Sequence, residues 1–282
     1  MPYGGYEGYV GWKEETSYGI PVTGTYSVEV ITDLRHSLNL NNVLLRPVGS
    51  RLVKAVLPGQ KETQVVVTYN PASTTLLRYA IDDYTKSCTW WIKESDGISS
   101  GLAEALYYPG CQLNELVISG GPGEIVKAVA TFWGNGTVRT GTPIAGASLP
   151  DPTTAGTPWQ SPDQSFSYGT GGTANLIGTA VTAYSVTFNR NRERLYKFDQ
   201  TLRAVPAKQF DVTGEITWTF DDMEQLKEVI NNDELTIAIT LGSSKILTLT
   251  GVHWQSYEVP ETATDLISLR IPFVAKSATI TA

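Results

Sequence analysis

The sequence predicts a mainly β protein with two tandem β-sandwich or open-barrel domains, each carrying one flanking α-helix. Segments of the first half of the 282-residue chain recur in the same order in the second half. Both halves contain runs of alternating apolar and polar residues, which are typical of strands with one buried face. In each half a single helical segment interrupts these runs. The two halves are therefore expected to share one architecture.

Five pairs of segments carry the repeat, at offsets that change along the chain. They are residues 17–19 and 167–169, 26–28 and 184–186, 65–69 and 216–220, 76–83 and 225–232, and 124–132 and 265–273. Offsets change when loops differ in length around a common scaffold. A repeat this long indicates a duplicated domain, because solenoid units span roughly 20 to 50 residues. Two copies of one surface in a single chain favour a role in assembly over catalysis.

The repeat sets the predicted domain boundaries. Residues 1–136 form the first domain with a Gly- and Tyr-rich N-terminal arm, and residues 176–282 form the second. Residues 137–175 between them are rich in Gly, Pro, Thr and Ser. Such a composition cannot pack a core alone, and it indicates a linker or an arm.

The alternation also predicts individual strands. They are expected near residues 26–32, 50–57, 63–69, 88–93, 112–118, 124–133, 235–241, 245–254 and 265–275. Residues 120–123, a Gly-Gly-Pro-Gly sequence, are expected to form a turn.

The helix of each half is expected to begin directly after a strand. Asn70 and Pro71 suit the N-cap and the first turn of the first helix, which then starts at Pro71. Asp221 and Glu224 form a capping box for the second helix, which starts at Asp222. Each helix spans about ten residues with its apolar residues at i, i+4 spacing. The side chains expected to be buried at these positions and on the adjoining strand are Leu77, Ile81, Leu226, Ile230, Trp218 and Phe220.

Composition and charge argue against several classes of protein. Charged residues make up 17% of the chain and the net charge is −7, whereas charged residues are roughly 25% of ordinary soluble proteins. This balance argues against nucleic-acid binding by counterion release, which needs clustered Lys and Arg. The N-terminus lacks the features of a signal peptide, and no apolar run approaches the roughly 20 residues of a membrane span. A soluble intracellular product is expected.

Residues that carry chemistry are few. The two histidines, His36 and His253, lie far apart without catalytic or metal-ligand spacing. Cys88 and Cys111 are the only cysteines; two buried free thiols are the favoured interpretation, a disulfide is the alternative, and the sequence leaves their state open. No catalytic, cofactor-binding or metal-binding residue is predicted, and the chain is not expected to be an enzyme.

Two groups of side chains have alternative interpretations. The strand tryptophans are interpreted as core and interface residues, with a carbohydrate-stacking platform as the alternative: Trp90, Trp91, Trp133, Trp218 and Trp254. Arg190, Arg192 and Arg194 are interpreted as a solvated hairpin end. The alternative is a subunit contact in which these arginines pair with carboxylates.

Three segments carry a resemblance to a known family. Residues 11–19 read GWKEETSYG, residues 212–220 read VTGEITWTF before the predicted second helix, and residues 267–275 read ISLRIPFVA. With these segments and its order of strands and helices, the chain resembles the major tail tube proteins of long-tailed bacteriophages and related archaeal viruses. It would be a tandem-duplicated form with two tail-tube-like domains.

The resemblance implies a structural virion protein whose domains are two-sheet β-sandwiches with one helix. Family members with one such domain form hexameric rings, so a chain with two implies homotrimers that imitate a six-fold ring. The rings would stack into a hollow tube in the virion tail, assembled in the host cytoplasm, that conducts the viral DNA without specific binding. Implied partners are further copies of the chain and the tape measure, tail tip and tail terminator proteins, with no membrane. Residues 37–50, residues 137–175 and the N-terminal arm would make the contacts between rings.

Charge is compatible with a DNA conduit. Residues 141–282 carry 15 Asp and Glu against 10 Lys and Arg, and residues 1–140 carry 13 against 11. A wall richer in carboxylates would repel DNA phosphates, so the channel is expected to be acidic. Two alternatives remain open: the tube subunit of a secretion or contractile injection system, and a two-domain carbohydrate-binding or adhesion protein.

Overall fold

A computed structural model of the chain shows a mainly β protein, as the sequence predicts. The residues that it describes are 9–46, 48, 51–82, 85–94, 104–141, 144–160, 165–170, 175–176, 181–197, 202–219, 230–242, 245–256 and 268–281.

The first half of the chain contains eleven described strands and the helix α1 (Thr75–Ile81). The strands are β1 (Tyr9–Glu14), β2 (Gly24–Thr25), β3 (Val30–Asn39), β4 (Val43–Leu45), β5 (Ala55–Leu57), β6 (Glu62–Asn70), β7 (Cys88–Glu94), β8 (Glu104–Gly120), β9 (Lys127–Gly134), β10 (Arg139–Gly141) and β11 (Ala147–Ser148). A short 3₁₀ helix follows at Pro152–Thr154.

The second half contributes nine strands within the described ranges. They are β12 (Ser165–Thr170), β13 (Asn175–Leu176), β14 (Val181–Asn189), β15 (Leu195–Tyr196), β16 (Leu202–Ala204), β17 (Asp211–Thr219), β18 (Leu235–Gly242), β19 (Lys245–Trp254) and β20 (Ser268–Ile280).

The strands of the two halves follow matching orders. In the first half, hydrogen-bonded neighbours run β1-β7-β8-β9-β6-β3, and all of these pairs are antiparallel. In the second half they run β12-β18-β19-β20-β17-β14, again antiparallel throughout. The β3·β6 ladder shifts register between Ile31 and Asp33, and the β14·β17 ladder shifts between Val181 and Ala183. Strands and residues at the same place in the two orders are called equivalent below.

The two orders join into one 14-stranded sheet through β8 and β14. The first part of β8 pairs with β7, from Glu104 to Cys111. Its last part, from Glu115 to Gly120, pairs with β14. Because β7 leaves the edge of β8 after Cys111, the same edge is open to the first long strand of the second half. The halves therefore share a sheet rather than meeting only through side chains.

One hydrophobic core runs through both halves. Leu77 and Ile81 of α1 belong to it, together with Trp218 of β17, as the sequence predicts. Ile230 does not, because its side chain is 68% exposed, so its predicted burial is wrong. The helix start and cap predicted at Asp221, Asp222 and Glu224, and the burial predicted for Leu226 and Phe220, lie outside the described residues.

The first helix begins later than predicted. Helix α1 starts at Thr75, with Thr74 as its N-cap residue. Asn70 is the last residue of β6 instead of a cap, because the ring of Pro71 disfavours the helical conformation in the residue before it. The carbonyl of Pro71 accepts a hydrogen bond from the Trp159 N–H at 2.9 Å, which holds this segment in an extended connection.

The registers of the sequence repeat are only partly correct. The closing strands match as predicted, because Phe132 lies opposite Val65, four residues before Tyr69, and Phe273 lies opposite Gly214, four residues before Trp218. Tyr69 faces Ile31 and Trp218 faces Val181, so these two residues are equivalent and the predicted pairing of 65–69 with 216–220 is two residues off. The short matches 17–19 with 167–169 and 26–28 with 184–186 are wrong: residues 165–170 of β12 take the place of β1, and residues 181–189 of β14 take that of β3.

Other local predictions also need correction. Residues 165–170, expected in a linker or arm, form β12 and pair with β18. The strand expected at 50–57 is limited to β5, which pairs with β4 in a separate hairpin.

Cys88 and Cys111 are buried free thiols at opposite positions of the β7·β8 ladder. Burial raises the pKa of both thiols well above its usual range, so both are protonated at neutral pH.

Candidate assembly interface

The junction between the two halves is the best-defined interaction surface of the molecule. It begins with the β8·β14 ladder, in which Glu115 lies opposite Asn189 and Gly120 lies opposite Tyr184. Where β14 ends, the Arg190 N–H donates to the carbonyl oxygen of Asn114 at 2.8 Å. The chain then continues over the first half as a hairpin formed by β15 and β16. Residues 188–197 and 202–206 are called the second-half hairpin.

Arg190 binds the C-terminal end of α1. Its guanidinium donates to the carbonyl oxygens of Ala80 at 2.6 Å, Ile81 at 3.2 Å and Asp82 at 2.6 Å. The last carbonyls of a helix have no partner within the helix and carry partial negative charge, which an arginine satisfies well. The guanidinium carbon also lies 4.0 Å from the centroid of the Phe210 ring. The side chain is buried, so these contacts, rather than solvent, stabilise its positive charge.

Arg192 makes a second buried contact on the first half. Its Nε donates to the carbonyl oxygen of Leu113 at 2.6 Å, and its backbone N–H donates to Asn114 Oδ1 at 2.9 Å. Its Nη1 donates to the carbonyl oxygen of Val205 at 2.8 Å. The arginine thereby ties the two sides of the second-half hairpin to the end of the β8·β14 ladder.

Arg194 extends the contact to the far side of the first half. Its Nη1 lies 3.2 Å from Glu62 Oε2, and its guanidinium carbon lies 4.3 Å from the centroid of the Trp133 ring. The hydroxyl of Tyr196 donates to Glu62 Oε1 at 3.2 Å. Burial, together with the nearby Glu62 carboxylate, raises the pKa of Tyr196 to about 12.

These contacts overturn the interpretation of the three arginines as a solvated hairpin end. Arg190 and Arg192 are buried and bind backbone carbonyls of the first half, and Arg194 pairs with a carboxylate. The alternative, a contact that uses arginine–carboxylate pairing, describes Arg194, although the contact lies within one chain. A cavity of about 940 Å³ adjoins the junction, with Gln112, Arg190, Arg192 and Phe210 among its lining residues.

The equivalent surface of the first half is open. Among the described strands, β3 pairs only with β6, so its other edge carries no ladder. The connection from β3 to β6 forms the β4·β5 ladder, and residues 38–46, 48 and 51–57 are called the first-half hairpin. Most exposed large apolar side chains of the described chain lie in it: Leu38, Leu40, Val43, Leu44, Leu45, Val48, Leu52, Val53, Val56 and Leu57. Contiguous exposed apolar surface of this kind is typical of interaction sites.

The two histidines lie apart and have structural neighbours. His36 Nδ1 lies 2.6 Å from the Tyr108 hydroxyl, and His253 Nδ1 lies 3.3 Å from Asn232 Oδ1. Within the described ranges, no group of three or more His, Cys, Asp and Glu side chains could hold a metal ion. No helix in the same part of the chain has the length and apolarity needed to cross a membrane.

The tryptophans pack inside the protein. Trp90, Trp91, Trp218 and Trp254 are buried, and Trp133 is half-buried beneath Arg194. Trp218 meets Trp254 edge to face at 5.5 Å between ring centroids. A carbohydrate-stacking platform needs exposed ring faces, which the four buried rings lack, so packing explains these residues.

The family resemblance implies contacts for residues 37–50, but an exposed apolar surface in the first-half hairpin was not predicted from the residue pattern alone. Residues 43–45 are three consecutive apolar residues, Val-Leu-Leu, in a strand that is exposed at all three positions. Such a run breaks the alternation expected of a strand with one solvated face. This break in the alternation was the sequence signal that could have identified the exposed apolar surface. The partners of the arginines could not be read from the sequence, since Glu62 and Trp133 lie far from Arg194 along the chain.

Comparison with known proteins adds one finding. A family model described as "Phage tail tube protein" matches residues 5–275. No curated protein matches the chain.

Proposed function

Because the chain belongs to the phage tail tube protein family, a family of structural proteins of the virion tail, we propose that three copies form a ring and that the rings stack into a hollow tube conducting the viral genome. Each chain would contribute two tail-tube-like domains, at residues 1–136 and 176–282. Each of the two matching strand orders is called a strand array, so the proposed ring contains six strand arrays. Assembly in the host cytoplasm and binding of other tail proteins at the tube ends belong to the same proposal.

The observation that carries the proposal is the edge-to-edge junction of β8 and β14. It joins the strand array of the first half to the equivalent array of the second half within one chain. Strand β3, the equivalent of β14, has an open edge. An open edge tends to pair with another chain. A head-to-tail contact that repeats the internal junction between chains would use this edge, and it closes into a ring when its rotation fits.

The number of copies follows from the two arrays in each chain. The tail tube resemblance implies six equivalent arrays in a ring. The matching orders β1-β7-β8-β9-β6-β3 and β12-β18-β19-β20-β17-β14 favour counting each chain as two of the six. Three chains would then complete the ring, with internal and inter-chain junctions alternating around it.

Conduction of DNA is supported by charge. The chain carries a net charge of −7, which allows a channel wall that repels phosphates. A wall rich in Lys and Arg would bind DNA by releasing counterions and would hinder its passage. The surface potential of the channel in an assembled tube tests this part, and a predominantly positive channel would remove the DNA conduit while leaving the tube intact.

Electron microscopy of the purified protein tests the assembly. Rings and hollow tubes are expected in the micrographs at high protein concentration. The mass of an isolated ring, measured separately, should equal that of three chains. A protein that stays monomeric at every concentration and salt condition would overturn the proposal.

A further inference from the structure

The turn that follows β3 has the same detailed geometry as the turn that follows β14. Asn41 and Asn191 both adopt positive φ, at 44° and 43°. The Asn41 N–H donates to Asn39 Oδ1 and its side-chain amide donates to the carbonyl of Gln60. The Asn191 N–H donates to Asn189 Oδ1 and its side-chain amide donates to the carbonyl of Gln209. Both hairpins therefore leave the sheet in the same direction, and residues can be matched along them.

The pairing within the hairpins fixes that match. In the second-half hairpin the Glu193 N–H donates to the Pro206 carbonyl, and Leu195 lies opposite Ala204. In the first-half hairpin Val43 lies opposite Leu57, and Leu45 lies opposite Ala55. Glu193 is thus equivalent to Val43 and Leu195 to Leu45. The residue between them in each hairpin, Arg194 or Leu44, occupies the same place.

Burial at the matched positions is opposite in the two hairpins. Arg190 is 4% exposed, whereas its equivalent Leu40 is 42% exposed. Val205 is 2% exposed, whereas its equivalent Val56 is 58% exposed. The second-half positions are buried because they lie on the first half of the same chain. No described part of the chain covers the matched first-half positions, and their apolar side chains face solvent.

The surface that would receive the first-half hairpin differs in a complementary way. Arg190 binds beside the buried Ile81. The sequence repeat of residues 76–83 with 225–232 places Ile230 in the position of Ile81, and the Ile230 side chain is exposed. Arg194 covers Trp133, whose equivalent on β20 is Val274, since Trp133 faces Gln64 and Val274 faces Thr213. At the Arg194 position, where the first-half hairpin has Leu44, the receiving residue is therefore the aliphatic Val274 in place of Trp133.

We propose that the first-half hairpin docks on the second half of a neighbouring copy in the same ring, as the second-half hairpin docks on the first half of its own chain. Leu40 then lies against Ile230 of the neighbouring copy, and Leu44 lies against its Val274. The partner is a second copy of this chain, because both faces of the contact are present in the chain with matched chemistry. The proposal rests on the ring proposed above.

This assignment differs from what the tail tube resemblance implies for residues 37–50. The resemblance implies contacts between stacked rings, whereas the matched hairpin geometry favours a contact within a ring. It also makes the two junctions of the ring chemically distinct. The internal junction uses buried arginines and hydrogen bonds, and the inter-chain junction uses an apolar seam.

Cysteine cross-linking distinguishes the two arrangements. The variant with Leu44→Cys and Val274→Cys is treated with a short bismaleimide, both as isolated rings and as tubes. The native Cys88 and Cys111 are buried and should react little with the reagent. Variants with only one introduced cysteine measure any background reaction. The pair Arg194→Cys and Trp133→Cys is the matched control, because these residues contact each other within one chain. The control pair should cross-link within one chain, so its product should remain a monomer on a denaturing gel.

The expected result is covalent dimers and trimers from isolated rings. Cross-links that form only in stacked tubes would overturn the proposal in favour of a contact between rings. Rings that form but yield no inter-chain cross-link would also overturn it. If the wild-type protein forms no rings at all, the proposed function fails first, and electron microscopy of the untreated protein reports that outcome separately.

Discussion

Arg190 donates a 2.6 Å hydrogen bond to the carbonyl oxygen of Ala80, 110 residues earlier in the chain. Through this bond the first residue after β14 satisfies the end of helix α1 in the other half of the chain. The arginine is buried, and its two further acceptors are the carbonyls of Ile81 and Asp82. The junction of the halves is therefore stabilised by a buried charged side chain whose hydrogen bonds run to backbone carbonyls and whose guanidinium lies over the Phe210 ring.

Replacing Arg190 should destabilise the fold. In Arg190→Leu the buried carbonyls of Ala80 and Ile81 lose their donor, which costs about 1–3 kcal/mol of unfolding free energy. Urea unfolding of the unassembled protein measures this. Arg35→Leu is the matched control, because the Arg35 side chain is 81% exposed and its removal should change stability by less than about 0.5 kcal/mol. Equal effects of the two variants would contradict the account.

Leu77 and Ile230, both predicted to be buried, should respond differently to truncation. Leu77→Ala removes a fully buried side chain and should cost about 2–5 kcal/mol of unfolding free energy. Ile230→Ala removes an exposed side chain and should leave the stability of the single chain within about 0.5 kcal/mol. The comparison is made by urea unfolding at concentrations too low for assembly. A large loss for Ile230→Ala would mean that this residue is packed within its own chain.

Glu29 should make stability depend on pH. Its burial raises the pKa of its carboxyl group, and hydrogen bonds from Ser73 and the Ala72 backbone only partly offset this rise. The native state then holds the proton at pH values where the unfolded chain, with a pKa of about 4.3, has released it. Stability attributable to Glu29 therefore falls as pH rises from the unfolded to the native pKa, and it stays lower above that range.

The variant Glu29→Gln removes this titration. Relative to the wild type, its unfolding free energy should gain with rising pH across that window and then level off, as measured by urea unfolding at a series of pH values. Glu193→Gln serves as the control, because Glu193 is half-exposed and pairs with Lys208 at the surface. Parallel pH profiles for wild type and Glu29→Gln would refute the role of Glu29.

Charges placed on the first-half hairpin should block ring closure. Leu44→Asp with Val56→Asp puts two carboxylates into the proposed apolar seam, where an unpaired buried charge is strongly unfavourable. Sedimentation should show unassembled chains with unchanged circular dichroism. Ile125→Asp adds a charge at an exposed apolar site outside the hairpin and should leave rings intact. Rings that persist in the double variant but fail to stack would assign the hairpin to ring stacking.

The sequence predicted the strand-rich fold and the register of its closing strands. Phe132 and Phe273 anchor that register, because each lies fully buried in a long alternating strand. The pairing of 65–69 with 216–220 was off by two residues, which alternation cannot detect. A shift of one residue moves every side chain to the opposite face, whereas a shift of two keeps the same face.

The contacts of Arg190 and Arg194 could not be predicted from the local sequence. A run with arginine at every second position is typical of a solvated turn, and only the fold brings α1 and Glu62 to Arg190 and Arg194. The same holds for β12, whose residues include Ser165, Ser167, Gly169 and Thr170, a linker-like composition. Its strand structure comes from pairing with β18. In both places the deciding contact is made by residues far away in sequence.

The mass of the isolated ring tests the central claim most directly. Native mass spectrometry or sedimentation of the purified assembly should give three copies of the 30.7 kDa chain, and electron microscopy of the same sample should show a closed ring with six similar lobes around a channel. A monomer under all conditions, or a closed ring of six chains, would contradict the account.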